Sequence, residues 1–121
     1  MPVPPKNVLI LDDEPSIRYS IAAFLEDEGF EIFLAESSEE ALALCAQRRM
    51  DGAIVDIRLP GVDGNTFMVA AKKLNPKMRF IIHTGSADYV IPDEVRALGV
   101  RSRDVLTKPV LNLYDLLIPF R

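Results

Sequence analysis

The chain has 121 residues, 49% hydrophobic and 26% charged, the profile of one folded domain rather than a disordered tract. Fourteen Lys and Arg against eighteen Asp and Glu leave a net charge of −4, without the basic footprint of a nucleic-acid binder. Cys45 is the single cysteine, which excludes an internal disulfide framework and a multi-cysteine zinc site, and no stretch approaches the ~18 apolar residues of a membrane span.

In chain order, the proline-rich start reads as an extended tail over 1–6 with no secretory signal, so a cytoplasmic single domain over 7–121 is expected. These residues contain no DNA-binding module, and no transcriptional role is expected of them. The apolar run Val8-Leu9-Ile10-Leu11 predicts a first strand ending in Asp12-Asp13. Pro15 suits the first turn of a helix whose Ile17, Ile21, Phe24 and Leu25 share one face up to Gly29. A second strand is expected over 30–35. Ser37 with Glu40 reads as a capping box opening a helix to about residue 49. The third strand spans 52–56 and closes in Asp56, followed by a loop punctuated by Pro60, Gly61 and Gly64. Phe67, Ala70, Ala71 and Leu74 repeat with helical period. A fourth strand is expected over 80–83. A helix with Ile91, Val95 and Leu98 on one face follows, then a short strand at Val105-Leu106 and a last helix over 113–118 stopped by Pro119.

Alternating strands and helices predict an α/β fold with a parallel sheet covered by helices on both faces, and the strands are apolar throughout, as double burial requires. For so short a chain the expected strand order is 2-1-3-4-5, the flavodoxin-like arrangement, with a site at the carboxyl ends of strands 1 and 3. Asp12, Asp13 and Asp56 all fall at those ends. Two unit charges ~5 Å apart repel by roughly 3 kcal/mol at an effective dielectric near 20. A proton or a cation should relieve the cluster, and three oxygen ligands without His or Cys suit Mg²⁺. The plainer reading, that the paired acids cap the first helix, leaves Asp56 unexplained. Asp56 can act as a carboxylate nucleophile toward phosphorus. Thr84, closing strand 4, can donate to a phosphoryl oxygen, and Lys108, closing strand 5, can place an ammonium there.

This arrangement resembles the receiver domain of bacterial two-component response regulators over nearly the whole chain. The run from Val8 through Asp12, Asp13 and Pro15 is similar to that family's opening strand and acidic pair. Asp56-Ile57-Arg58-Leu59-Pro60-Gly61-Val62-Asp63-Gly64 is similar to its phosphoacceptor strand end and loop, and Thr84-Gly85 and Lys108-Pro109 match its switch hydroxyl and lysine. The spacings agree as well: 43 residues from Asp13 to Asp56, 28 to Thr84 and 24 to Lys108. The resemblance implies phosphorylation of Asp56 by a sensor histidine kinase or phosphotransfer protein. It implies Mg²⁺ held by Asp13, Asp56 and the Arg58 backbone carbonyl with Asp12 assisting, Lys108 paired with the phosphoryl group, and a cis Lys108–Pro109 bond. Thr84 would bias a surface built from helix 4, strand 5 and helix 5, changing partner binding there; a homodimer through that face belongs to the same implication. The family's aromatic switch residue three positions before the lysine is replaced by Val105, so output by another route is expected. The approach to strand 5 reads as longer than usual, with Arg101 and Arg103 in an extra turn.

The implied activity is that of a regulatory domain assisting its own phosphorylation and hydrolysis, not an enzyme on separate substrates. A pseudo-receiver that docks partners without phosphorylation is the alternative. A small aspartyl-phosphate phosphatase would want an acid or base two residues beyond Asp56, where Arg58 stands. Arg58 is expected to overhang the pocket and modulate water access. His83 is expected to be a hydrogen-bonded strand-end residue facing away from Thr84, Cys45 a packed thiol, and Glu14 a first-turn acid favoured by the helix dipole.

Overall fold

The computed structural model describes residues 7–110 and 112–117; the expectations for the tail over 1–6 and for Ile118 and Pro119 lie outside them. Five strands, β1 (Asn7–Leu11), β2 (Glu31–Ala35), β3 (Gly52–Val55), β4 (Arg79–Thr84) and β5 (Val105–Thr107), form one sheet in the order β2-β1-β3-β4-β5. Every pair in it is parallel. The expected order is therefore the observed one.

Side chains alternate across a strand, so an all-apolar strand feeds two cores at once. Val8, Ile10, Ile54 and Ile81 pack on one face against Ile21, Ala22 and Leu25 of α1 (Pro15–Asp27), joined by Leu116 and Leu117. Leu9, Leu11, Ala53, Val55, Phe80 and Ile82 pack on the other. Their partners there are Ala41 of α2 (Ser38–Gln47), Phe67, Met68 and Ala71 of α3 (Gly64–Leu74), and Val95 of α4 (Asp93–Arg96). Cys45 packs against this second core as expected, and burial pushes its thiol up to about 11. No helix among the described residues is long and apolar enough to cross a membrane.

Local chemistry sets the helix starts. Pro15 stands at the beginning of α1, where its missing N–H costs nothing. Ser37 Oγ accepts from the Glu40 N–H at 3.2 Å, the hydroxyl half of the expected capping box. Asp63 Oδ1 accepts from the Thr66 N–H at 2.8 Å and opens α3.

The structure corrects several boundaries. The second strand begins at Glu31, and β3 ends at Val55, placing Asp56 one residue beyond it. The fourth helix is a single turn of four residues: Pro92 occupies its N-cap position, and Gly99 at φ +99 ends the segment. Ile91, Val95 and Leu98 nevertheless pack into the core as their spacing predicts. The last helix is a 3₁₀ turn, Leu113–Leu116, opened by Asn112 Oδ1 accepting from the Tyr114 N–H. Before β5, Ser102–Asp104 form another 3₁₀ turn that contains Arg103 and is preceded by Arg101, closed by Asp104 Oδ2 accepting from the Arg101 N–H.

Candidate functional site

Register brings the acids together. Leu11 pairs with Val55 at the ends of β1 and β3, so Asp12 and Asp56 leave the sheet side by side. The Asp56 N–H donates to the Leu11 carbonyl at 2.9 Å, carrying the ladder one residue further. Carboxylate oxygens of Asp12, Asp13 and Asp56 lie within 4.8 Å of one another. Asp12 and Asp56 are buried, and Asp13 is exposed.

Thr84 pairs with Thr107, and the Lys108 N–H donates to the Thr84 carbonyl at 2.7 Å. This fixes the lysine backbone beside the acids, and the Lys108–Pro109 bond is cis, as the resemblance implies. Lys108 Nζ lies 3.0 Å from Asp12 Oδ2 and 3.2 Å from Asp56 Oδ2, with Glu14 Oε1 at 3.9 Å. Burial pushes the Asp56 carboxyl above its ordinary value; the Lys108 charge pulls it back, and Asp12 and Asp13 push it up again. Burial alone would depress the Lys108 ammonium, but Asp12 and Asp56 outweigh it and raise the group.

Asp13, Asp56 and Lys108 line an open cleft of about 340 Å³ with Glu14, Arg58, Thr84, Gly85 and Ser86. Thr84 Oγ1 accepts from the Ser86 N–H at 3.1 Å. Arg58 does overhang the cleft, its Nη2 3.4 Å from Ser86 Oγ, while that hydroxyl donates to Asp88 Oδ1 at 2.7 Å. The loop after Asp56 needs glycine at 64: a Cβ there would collide with the Asp56 carbonyl oxygen and come within 2.9 Å of Val55 Cγ1. An all-oxygen cluster open on the Asp13 side fits a hard divalent cation.

Residues 8–117 match the family described as the response regulator receiver domain. The chain belongs to that family. Receiver domains are the regulatory modules of two-component response regulators, which histidine kinases phosphorylate and which act on output domains. A Rickettsia bellii protein named as an NtrX-like response regulator is 39% identical over 108 residues, which cover 88% of this chain but 22% of that protein. A Burkholderia pseudomallei response regulator solved with a phosphorylated aspartic acid, calcium and citrate is similar in fold at TM-score 0.84 and 26% identity, over 96% of this chain and 66% of that one. TrrA of Thermotoga maritima, solved in complex with Mg²⁺ and beryllium fluoride, gives TM-score 0.77 and 31% identity over 93% of each chain.

All the residues singled out from the sequence for this receiver pocket converge on it: Asp12, Asp13, Asp56, Arg58, Thr84 and Lys108. Val105 lies apart, half-buried on β5 opposite Ile82 and packed against the core beneath α2 and α3. Glu14 is not a first-turn acid; it holds the N-cap position of α1 without capping it and faces Lys108. The Glu14 N–H donates instead to Asp12 Oδ1 at 2.9 Å, so Asp12 serves this turn and the acid cluster together. His83 corrects another expectation. It does face away from Thr84, lining a different cavity, but neither ring nitrogen has a hydrogen-bond partner among the described residues, its surroundings beneath α1 being mainly apolar. Burial and the nearby Lys108 charge lower its pKa to about 4, leaving the ring neutral at pH 7.

Sequence reasoning missed Arg18 and Ser86. Arg18 is buried and its Nη1 donates to the Asp12 carbonyl at 2.8 Å. Its signal was present: a basic residue one turn into α1 can reach back over the strand end.

Proposed function

We propose that Asp56 is the phosphoacceptor of this receiver, taking a phosphoryl group from a sensor histidine kinase or phosphotransfer protein. The carrying observation is the Lys108 ammonium held between Asp12 and Asp56 at the rim of a three-carboxylate cluster. An Asp56 oxygen attacks phosphorus, and the bond from phosphorus to the donor breaks as the new O–P bond forms. Asp12, Asp13, Asp56 and the Arg58 backbone carbonyl are the groups that would hold Mg²⁺. When bound, the ion neutralises charge on the transferring phosphoryl oxygens. Lys108 supplies the fixed cation for the same oxygens, a role supported by its Nζ lying 3.2 Å from Asp56 Oδ2. Thr84 Oγ1 accepts from a backbone N–H, which leaves its own proton for a phosphoryl oxygen.

Movement of Thr84 toward the phosphoryl group would pull on β4 and β5, making the surface around α4, β5 and Val105 the output face for partner binding or a homodimer. The domain assists its own phosphorylation and hydrolysis and acts on no separate substrate.

Intact mass measured under mild conditions after incubation with Mg²⁺ and acetyl phosphate tests the reading. We expect an adduct of about 80 Da that depends on Mg²⁺ and is lost in Asp56→Asn. No adduct, together with retained partner binding, would favour the pseudo-receiver.

A further inference from the structure

A cavity of about 190 Å³ opens at the amino-terminal ends of β4 and β5, the opposite edge of the sheet from the acidic cleft. Three cationic side chains line it from three separate segments: Lys72 from the last turn of α3, Arg79 from the first position of β4, and Arg103 from the 3₁₀ turn before β5. That turn is the extension singled out in the sequence. Of its two arginines, Arg101 is spent on structure, its Nη1 donating to the carbonyls of Arg96 and Val100 at 2.8 and 3.1 Å. Arg103 and Arg79 are exposed, and neither side chain makes a hydrogen bond or ion pair among the described residues. Lys72 is partly buried; its Nζ donates to the Met78 carbonyl at 2.7 Å, which uses one of three N–H groups.

Like charges gathered around one hollow oppose each other unless an anion shares it. Burial and the Arg79 charge together hold the Lys72 ammonium below its ordinary value. Asp104 is the one carboxylate lining the cavity, and its Oδ2 already accepts from the Arg101 N–H. Three cations against one carboxylate leave a formal surplus of two positive charges, in a chain whose net charge is −4. Two guanidinium forks and an ammonium suit the several oxygens of a phosphate better than a single carboxylate. The volume lies below the ~300 Å³ at which pockets begin to take drug-sized ligands, so little more than the phosphate group fits. We infer that Lys72, Arg79 and Arg103 form a binding site for a phosphate dianion, free or carried by a small phosphomonoester. The site is separate from Asp56, and its occupancy is read without Mg²⁺ or phosphoryl transfer.

Titration of the ¹⁵N-labelled protein at constant ionic strength, with EDTA present, tests this. Inorganic phosphate or glycerol 3-phosphate should shift the amides of Phe80, Val100 and Arg103 saturably; saturation by only one of the two identifies the source as free ion or monoester. Nitrate, a monoanion, should not saturate. Arg79→Ala and Arg103→Ala alter exposed side chains on different elements, and each should weaken binding about fivefold. Lys73→Ala removes an exposed cation of α3 that does not line the cavity and should leave affinity unchanged. Shifts centred on Asp56 and Lys108 instead, no saturation with either phosphate probe, nitrate binding as well as phosphate, or equal effects of the lysine and arginine variants would overturn the inference.

Discussion

At Asp56, burial and the neighbouring carboxylates oppose ionisation while Lys108 favours it, and the net effect raises the carboxyl above its ordinary value. A carboxyl raised in the folded state helps the fold at pH below its unfolded value, and that help is lost as pH climbs through the raised value. Replacing the charge should therefore stabilise the domain at neutral pH. We predict that Asp56→Asn gains about 1 kcal/mol in urea unfolding near pH 7, and that the gain vanishes near pH 3. Gly64→Ala should do the opposite: its Cβ collides with the Asp56 carbonyl, so a loss of about 1–3 kcal/mol is expected together with slower labelling by acetyl phosphate. Arg58 sits over the cleft beside Ser86. Arg58→Ala should leave labelling intact but shorten the adduct's half-life several-fold, read as decay of the mass adduct after the donor is removed.

Among the elements, those with long periodic patterns were legible in the sequence, and those set by one or two residues were not. Ile21 and Leu25 or Phe67 and Ala71 announce α1 and α3 because several turns repeat the same apolar stripe. The stripe of Ile91, Val95 and Leu98 is equally regular, with Ile91 and Val95 buried and Leu98 partly so, yet Pro92 and Gly99 leave only Asp93–Arg96 as α-helix. Periodicity reports which side chains face the core, not how many backbone hydrogen bonds join them. The 3₁₀ turns at Ser102–Asp104 and Leu113–Leu116 depend on backbone N–H groups donating to the side chains of Asp104 and Asn112, which no pattern of apolar residues encodes. One helical turn with a short ladder should open easily. Amide exchange at 93–98 is expected to run at least about tenfold faster than in the middle of α3, as measured by hydrogen–deuterium exchange with NMR. Matching protection in the two segments would contradict this account of α4.

For the whole molecule, strand order does most of the work. Two strands distant in sequence become neighbours, and Asp12 and Asp56 meet because β1 and β3 end in register at Leu11 and Val55. The order 2-1-3-4-5 could be read from alternating apolar runs, and with it the meeting of the acids, Thr84 and Lys108. Contacts that depend on side-chain direction were out of reach: the Arg18 bond to the Asp12 carbonyl, the turn of Glu14 toward Lys108, and the His83 ring without a hydrogen-bond partner among the described residues. The central claim is that one of three clustered carboxylates, Asp56, takes the phosphoryl group. Borohydride reduction of the labelled protein converts a phosphorylated aspartate to homoserine, and peptide sequencing by mass spectrometry then locates it. Homoserine at position 56 alone is the result predicted here; homoserine at 12 or 13 instead, or none in a protein that carries the adduct, would contradict it.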